Sequence, residues 1–469
     1  MRGKLSIWGF WGGVMLFLLS GCALFAPKER VDLNKNLPER FTLYAPSSSS
    51  TQMWWHAFES SELNGLIEAS LTNNPGVQQA WARLVQADAV ARQAGAARYP
   101  WLQGGADASR SKNSITYEGT DLFSLGLNAS YEVDLWGRIK SNTQAARLSR
   151  DATAEQLQTV ALTLSSQVAL RWAGVIAQRE QTQILQKQLQ ANEHSLELIE
   201  LRFRQSISSA LDIYQQRQIV AGTKALIPLA QLRATLLEHE LAALLGSSDF
   251  QTNRIATTML PQLGPPPAVG IPADLLANRP DIRQAGLRLK SADWMVSAAR
   301  ANRLPAIRLT ASGNYKNSEF SDLFDDWFAH LAASLTGPIF EGGRRKAEVD
   351  RARAAADEAL AAYREVVIQA IKEVEDALAS EQRQREYADR LFQQTEAARK
   401  SYQESVNRYR NGMVEYTTVL LQLDSQQRLE RQWVEAQYNL VVARINLYRA
   451  LGGSILSTAT HSSVSEKKP

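Results

Sequence analysis

The chain has 469 residues, 45% of them hydrophobic and 21% charged, with a formal net charge of +4. That length admits about two to three ordinary domains. Lys and Arg are interspersed with Asp and Glu, which excludes a nucleic-acid-binding stripe, and a single cysteine, Cys22, excludes an internal disulfide.

Arg2 and Lys4 precede an apolar run from Ile7 through Leu19, too short for an ordinary spanning helix, which reads as a signal peptide over residues 1–21. The run ends Leu19-Ser20-Gly21-Cys22, which resembles a bacterial lipobox. That resemblance implies cleavage before Cys22 and lipidation of it; several acyl chains anchor stably where one is marginal. Ala23 stands where an Asp would signal retention at the inner membrane, so the same resemblance implies the outer membrane of a Gram-negative cell. Residues 22–52 are polar and Pro/Ser-rich and read as an extended tether.

Trp54, Trp55 and Phe58 open a first unit, 53–246. A helix is expected near Ser61 to Thr72, and a second runs from Pro75, in its first turn, to about Arg98. Strands follow at 101–110 and 122–137. The second alternates Phe123, Leu125, Leu127, Ala129, Tyr131 with Ser124, Gly126, Asn128, Ser130, Glu132, giving one apolar and one polar face. From about Asn142 to Arg204 there is no proline and only one glycine. A helix of about 60 residues spans about 95 Å. A further helix covers about Leu211–Leu245, with Pro228 expected to kink it. Residues 247–272 form a Pro-rich linker.

The second unit, 273–453, repeats this order. Asn73, Pro75, Gln79, Arg83, Asp88 and Pro100 recur about 205 positions later, and Arg202-Phe203-Arg204 returns as Arg408-Tyr409-Arg410. Its strands are expected at 306–316 and 327–340 and its helices at Arg345–Arg410 and Tyr416–Leu451. Val349, Ala352, Ala356, Tyr363, Val367 and Val374 follow the three–four spacing of a coiled-coil seam. Residues 454–469 read as a disordered tail. Four amphipathic strands fit either a half-buried soluble sheet or a membrane barrel. Four are too few to close a barrel, so the membrane reading requires several chains.

Candidate chemistry is sparse. The five histidines show no metal-like i, i+4 pair, and His330 falls on the polar side of a strand, as wall lining. Gly342-Gly343 lies between a strand and a helix without a P-loop lysine, and reads as a flexible joint. No catalytic constellation and no cofactor motif emerges.

The lipobox, the Trp55-to-Phe58 opening, Asn278-Arg279-Pro280-Asp281-Ile282-Arg283, Tyr131 through Arg138, Gly337 through Arg344 and Asn446 through Gly453 together resemble the TolC/OprM-like outer-membrane efflux lipoproteins that serve resistance–nodulation–division pumps. The resemblance covers almost the whole mature chain. It implies a mixed α and β membrane protein of two helix–strand–strand–helix pseudo-repeats. Three copies would make a twelve-stranded outer-membrane β-barrel, continued by a long periplasmic α-helical barrel. The homotrimer would act as a passive exit duct for drugs or other small molecules, energised by an inner-membrane pump through a periplasmic adaptor, with outer-membrane lipid as its other partner. It further implies a closed periplasmic tip. Asp212 matches the tip acid of the first repeat and Tyr409 the tip tyrosine of the second; for Asp212 the alternative is a helix-start residue favoured by the macrodipole. Leu421 stands where an acidic ring residue is usual, with Asp424 one turn away, so the constriction is expected to be apolar. Adaptor contact is expected at the turns, around Arg204, Ser208, Arg410, Gly412 and Glu415. A type I protein secretion duct shares this fold but usually lacks the lipid anchor. The other alternative is a non-channel envelope scaffold or adaptor lipoprotein; an adaptor would show one helical hairpin, not two matched units, and would lack four amphipathic strands.

Overall fold

A computed structural model describes residues 25–27, 38, 53–112, 114–115, 119–249, 255–267, 269 and 272–453. The leader, Cys22, nearly all of the tether and the tail lie outside the described residues. The elements run α1 (Ser61–Asn73), α2 (Pro75–Ala96), β1 (Trp101–Lys112), β2 (Gly119–Val133), α3 (Arg138–Arg204), α4 (Ala210–Leu244), α5 (Asp274–Asn278), α6 (Pro280–Ala301), β3 (Ala306–Asn317), β4 (Trp327–Thr336), α7 (Arg344–Arg410) and α8 (Tyr416–Ala450). The repetition extends to length. The two proline-started helices have 22 residues each, the long helices 67 each and the returning helices 35 each.

Two strands stop short of the sequence expectation, while β1 runs on to Lys112 and β2 starts early, at Gly119. β2 stops at Val133 rather than 137, because the Asp134 carboxylate is taken by the start of α3: it accepts from the N–H groups of Ile139 (2.9 Å) and Lys140 (2.7 Å). β4 stops at Thr336 rather than 340. Its partner β3 begins at Ala306, which pairs with Thr336, and Pro338 has no N–H to extend a ladder. Pro228 does not break α4, which runs unbroken through it. The buried positions Ile213, Gln216, Val220, Thr223, Ala230, Ala234 and Leu241 keep a heptad seam on both sides. Pro228 itself is exposed, so water meets the carbonyl it leaves unpaired.

All four long helices end alike. A residue with positive φ follows each (Ser206, Gly246, Gly412, Gly452), and its N–H and the next one fold back in the six-to-one pattern, as in Ile207 N to Arg202 O and Met413 N to Arg408 O, both 2.9 Å. At Gly246 and Gly452 the backbone also passes against the neighbouring helix start. A Cβ there would lie 2.5 Å from Asn73 O and 2.9 Å from Asn278 O.

The chain divides into two compact units. One is built on Ala82–Glu155 and Arg283–Val366, the other on 53–81, Gln156–Ile282 and 367–453. The first holds the whole sheet, in order β1-β2-β3-β4, every neighbour antiparallel. Beside it, Val296 and Ala299 of α6 pack on Val349, Ala352 and Ala356 of α7, and Ser291 Oγ donates to Ala145 O of α3 (2.8 Å). The second unit has the main core. Trp55, Trp172, Leu63, Ile67 and Ile176 are all but inaccessible, and Trp172 Nε1 donates to Glu62 Oε1 (2.8 Å). The middle of α3 is apolar and long enough to cross a membrane, but most of that stretch is buried in this core.

Candidate channel wall and tip gate

The register of the sheet sorts its side chains. Along one face Leu125 faces Tyr315, Ala129 faces Ala311, and on β4 Leu331 faces Ala311 and Leu335 faces Ile307. Along the other, Asn128 faces Ser312, which faces His330, while Ser124 faces Lys316 and Glu132 faces Arg308. A period of two thus gives one mainly apolar face, ending in the Arg110–Asp121 pair, and one mainly polar face across all four strands. The apolar face is bare: Leu331 is 82% and Leu335 70% exposed. β1 and β4 are edges, with backbone groups free to pair. At the base of the polar face Glu132 accepts from Arg138 Nη2 (2.7 Å) with Arg308 at 3.9 Å, which places paired charge beside the start of α3. The joint at Gly342-Gly343 uses positive φ at both residues, as a strand-to-helix turn requires.

In the other unit the ends of α3, α4, α7 and α8 form a small cluster: Ile199, Ile213, Tyr416, Val419 and Leu420, with Tyr402 and Tyr409 packed against it. The Tyr409 and Tyr416 rings lie 5.3 Å apart, and the Arg202 guanidinium sits 4.6 Å above the Tyr409 ring. Burial pushes the Tyr416 phenol up, and the neighbouring Tyr402, Tyr409 and Asp212 push it the same way. Its hydroxyl donates to Gln216 Oε1 (2.8 Å), and Gln216 Nε2 donates to Asn192 O (2.7 Å). Asn192 and Gln427 exchange side-chain hydrogen bonds (3.3 and 2.8 Å), and Asn192 also donates to Thr223 Oγ1 (3.0 Å). A wholly buried polar layer thus ties α3, α4 and α8 together.

The residues expected at the tip are placed as follows. Asp212 forms a capping box: Oδ2 accepts from Ser209 N (2.9 Å) while Asp212 N donates to Ser209 Oγ (3.2 Å). It therefore fulfils the helix-start role, and its charge still reaches Tyr409, whose phenol is raised by burial first and by Asp212 last, against Arg202. Leu421 is 69% exposed and Asp424 is exposed one turn on, apart from the tyrosine cluster. Of the turn residues, Arg204, Arg410, Gly412 and Glu415 are exposed, and Ser208 Oγ donates to Ile199 O (3.2 Å). Sequence reasoning passed over Arg202 and Tyr416. The matched triplets Arg202-Phe203-Arg204 and Arg408-Tyr409-Arg410 carried the signal for the first.

An open sheet with a lipid-like face, in a chain whose helices of 67 and 35 residues each occur twice, fits a channel-forming subunit of the outer membrane. Comparison with known proteins agrees. The family model described as outer membrane efflux protein matches residues 66–247 and again 271–453, and the chain belongs to this family. It is 36% identical over 417 residues to the pyoverdine export outer membrane protein OpmQ of Pseudomonas putida, covering 86% of this chain and 88% of that one. It is 29% identical over 446 residues to the cation efflux system protein CusC of Escherichia coli K12, covering 93% and 97%. The solved outer-membrane channel OprN superposes with a TM-score of 0.85 at 26% identity, over 91% of this chain and 98% of that one.

Proposed function

We propose that the protein is the outer-membrane exit duct of a tripartite efflux pump, a passive gated channel exporting small molecules. The carrying observation is the sheet of four strands with one mainly apolar face and two strand edges, β1 and β4. Lipid tolerates no open edge, so other copies must supply the missing strands. Three copies give twelve strands, a barrel wide enough for a water-filled lumen lined by the polar face. The long helices, with seams of small residues, line the periplasmic part of the duct. An inner-membrane pump and a periplasmic adaptor supply energy and cargo, and the adaptor docks near the turns at 204–209 and 410–415. Cys22 carries the lipid. The tip cluster is the gate, with Asp212 and Tyr409 holding it and Leu421 forming an apolar constriction. The alternating wall and the membership in an efflux family favour this reading over a scaffold.

The test is purification of the mature protein in detergent followed by planar-bilayer recording. The expected result is a heat-resistant trimer that conducts, an Asp212→Ala variant that conducts more, and a Leu331→Arg variant that fails to insert. A stable monomer without conductance, soluble without detergent, would overturn the proposal.

A further inference from the structure

The two repeats place the same arginine at the tip and use it differently. Arg202 and Arg408 are equivalent in the matched triplets. Arg408 is engaged on its own helix, Nε donating to Glu404 Oε1 at 2.8 Å. The position equivalent to Glu404 in the first repeat is Leu198, so α3 offers Arg202 no such partner. Among the described residues Arg202 makes no ion pair, and its Nε is buried without a hydrogen-bond acceptor. Its guanidinium instead lies over the ring of Tyr409, 4.6 Å from the centroid, within the range of a cation–π contact. Tyr409 in turn makes no hydrogen bond through its hydroxyl among the described residues, and its ring stacks against Tyr416. The Asp212 carboxylate is occupied at Ser209 N. Within one chain, therefore, the tip tyrosine is held by its face and not by its hydroxyl.

We infer that Arg202 is a positioning residue of the gate: it locks the end of α3 to the end of α7 by a cation–π contact with Tyr409. This rests on the reading of the tip as a gate. The contact joins the first repeat to the second, and among the described residues it is the ring contact of Tyr409 that carries a formal charge. Opening requires Tyr409 to leave the guanidinium. That leaves the charge facing the ring edge or solvent.

The experiment is single-channel recording of the purified full-length trimer carrying Arg202→Gln, Arg202→Lys, Tyr409→Phe or Tyr409→Leu, with heat-resistant trimer and far-ultraviolet dichroism as controls of assembly. Removing a partly exposed cation–π contact is expected to raise the open-to-closed ratio about threefold per protomer. Arg202→Gln and Tyr409→Leu should both raise the mean conductance. Tyr409→Phe, which keeps the ring, should open less than Tyr409→Leu, and Arg202→Gln combined with Tyr409→Leu should open no further than the larger of the two singles. If Tyr409→Leu opens the channel and Arg202→Gln does not, the gate stands and the role of Arg202 is refuted. If Tyr409→Phe opens it as far as Tyr409→Leu, the hydroxyl carries the lock and the inference is refuted again. If Arg202→Gln, Tyr409→Leu and Asp212→Ala all conduct like the unaltered channel, the gate reading itself falls. Should Arg202→Gln fail to assemble, Arg202→Lys against the two tyrosine variants decides the same question.

Discussion

Arg444→Met should cost the protein several degrees of thermal stability, and a second substitution should restore most of it. Arg444 and Glu381 are 4% and 1% exposed at their side chains. Arg444 Nε donates to Glu381 Oε1 at 2.8 Å, Nη1 to Pro265 O and Nη2 to Gly264 O, each at 3.0 Å. One guanidinium therefore neutralises a buried carboxylate and pins the inter-repeat linker to α8. Removing it leaves Glu381 with Arg385 alone, at 3.4 Å, and Gly264 O with the same arginine at 3.2 Å. Breaking a buried pair from one side costs about 3–5 kcal/mol; the surviving Arg385 argues for about 3. With an unfolding entropy of about 2.1 cal/mol/K per residue, a chain of this size has about 1 kcal/mol/K, so the melting temperature should fall by about 3 °C. Arg444→Met/Glu381→Leu removes both charges and should recover to within about 1 °C of the parent, because the desolvation cost disappears with the attraction. Melting followed by circular dichroism in detergent reads both, and limited proteolysis near Gly264 should speed up in both variants, since neither keeps the guanidinium that holds Gly264 O and Pro265 O. A double variant as unstable as the sum of the two singles would refute the claim that the pair acts as a unit.

The helix ends offer a paired prediction. Ser206 and Gly412 occupy the same left-handed position, at φ 59 and 71; Ser206→Gly should stabilise by about 1 kcal/mol and Gly412→Ser destabilise by a similar amount, read as opposite shifts in melting temperature. Gln427→Leu leaves Asn192 without its reciprocal partner in the buried layer and should cost about 1–3 kcal/mol, whereas Gln427→Leu with Asn192→Leu should cost less than the sum. Burial alone would raise the Glu62 carboxyl, but hydrogen bonds from Trp172, Ala256 and Thr257 outweigh it and hold the group below its ordinary 4.5. Because the folded value is depressed, this stabilisation is complete above pH 4.5 and is lost as the pH falls through the folded value. Glu62→Gln should flatten that acid limb of the melting temperature.

How far the fold could be read in advance depended on whether a signal was periodic or tertiary. The strand faces and helix seams repeat at fixed intervals, so the apolar side of β2, with Leu125 on it, and the run Val349, Ala352, Ala356 were legible from spacing alone, whereas the register that sets Leu125 opposite Tyr315 was not. The ends were not, because they are set by partners distant in sequence or by competition. Asp134 looked like the polar member of an alternating strand, yet its carboxylate serves α3. Pro228 looked like an interruption, but α4 runs through it with the proline on its exposed side. At the tip, Ser209-Ala210-Leu211-Asp212 already spelled a capping box. The likeness to tip acids drew the reading elsewhere, and the structure shows that one carboxylate can fill the local role while its field still acts on Tyr409 and Tyr416.

The equal lengths of the repeats give the tip its meaning. Both long helices have 67 residues, and the equivalent residues Phe203 and Tyr409 stand one short of their ends. One extra residue in α7 alone would turn its end by about 100° relative to α3 and lift it by about 1.5 Å. Tyr409 would then leave the guanidinium of Arg202, and Arg408 would leave the level of its counterpart. Length is therefore the quantity that the duplicated frame must hold fixed. Within a frame of fixed length, exchanging single side chains changes how the end is held without moving it. Leu198 against Glu404, Phe203 against Tyr409 and the Ser209–Asp212 box against the uncapped Glu415 are such exchanges, and each alters what the end of the helix pair binds.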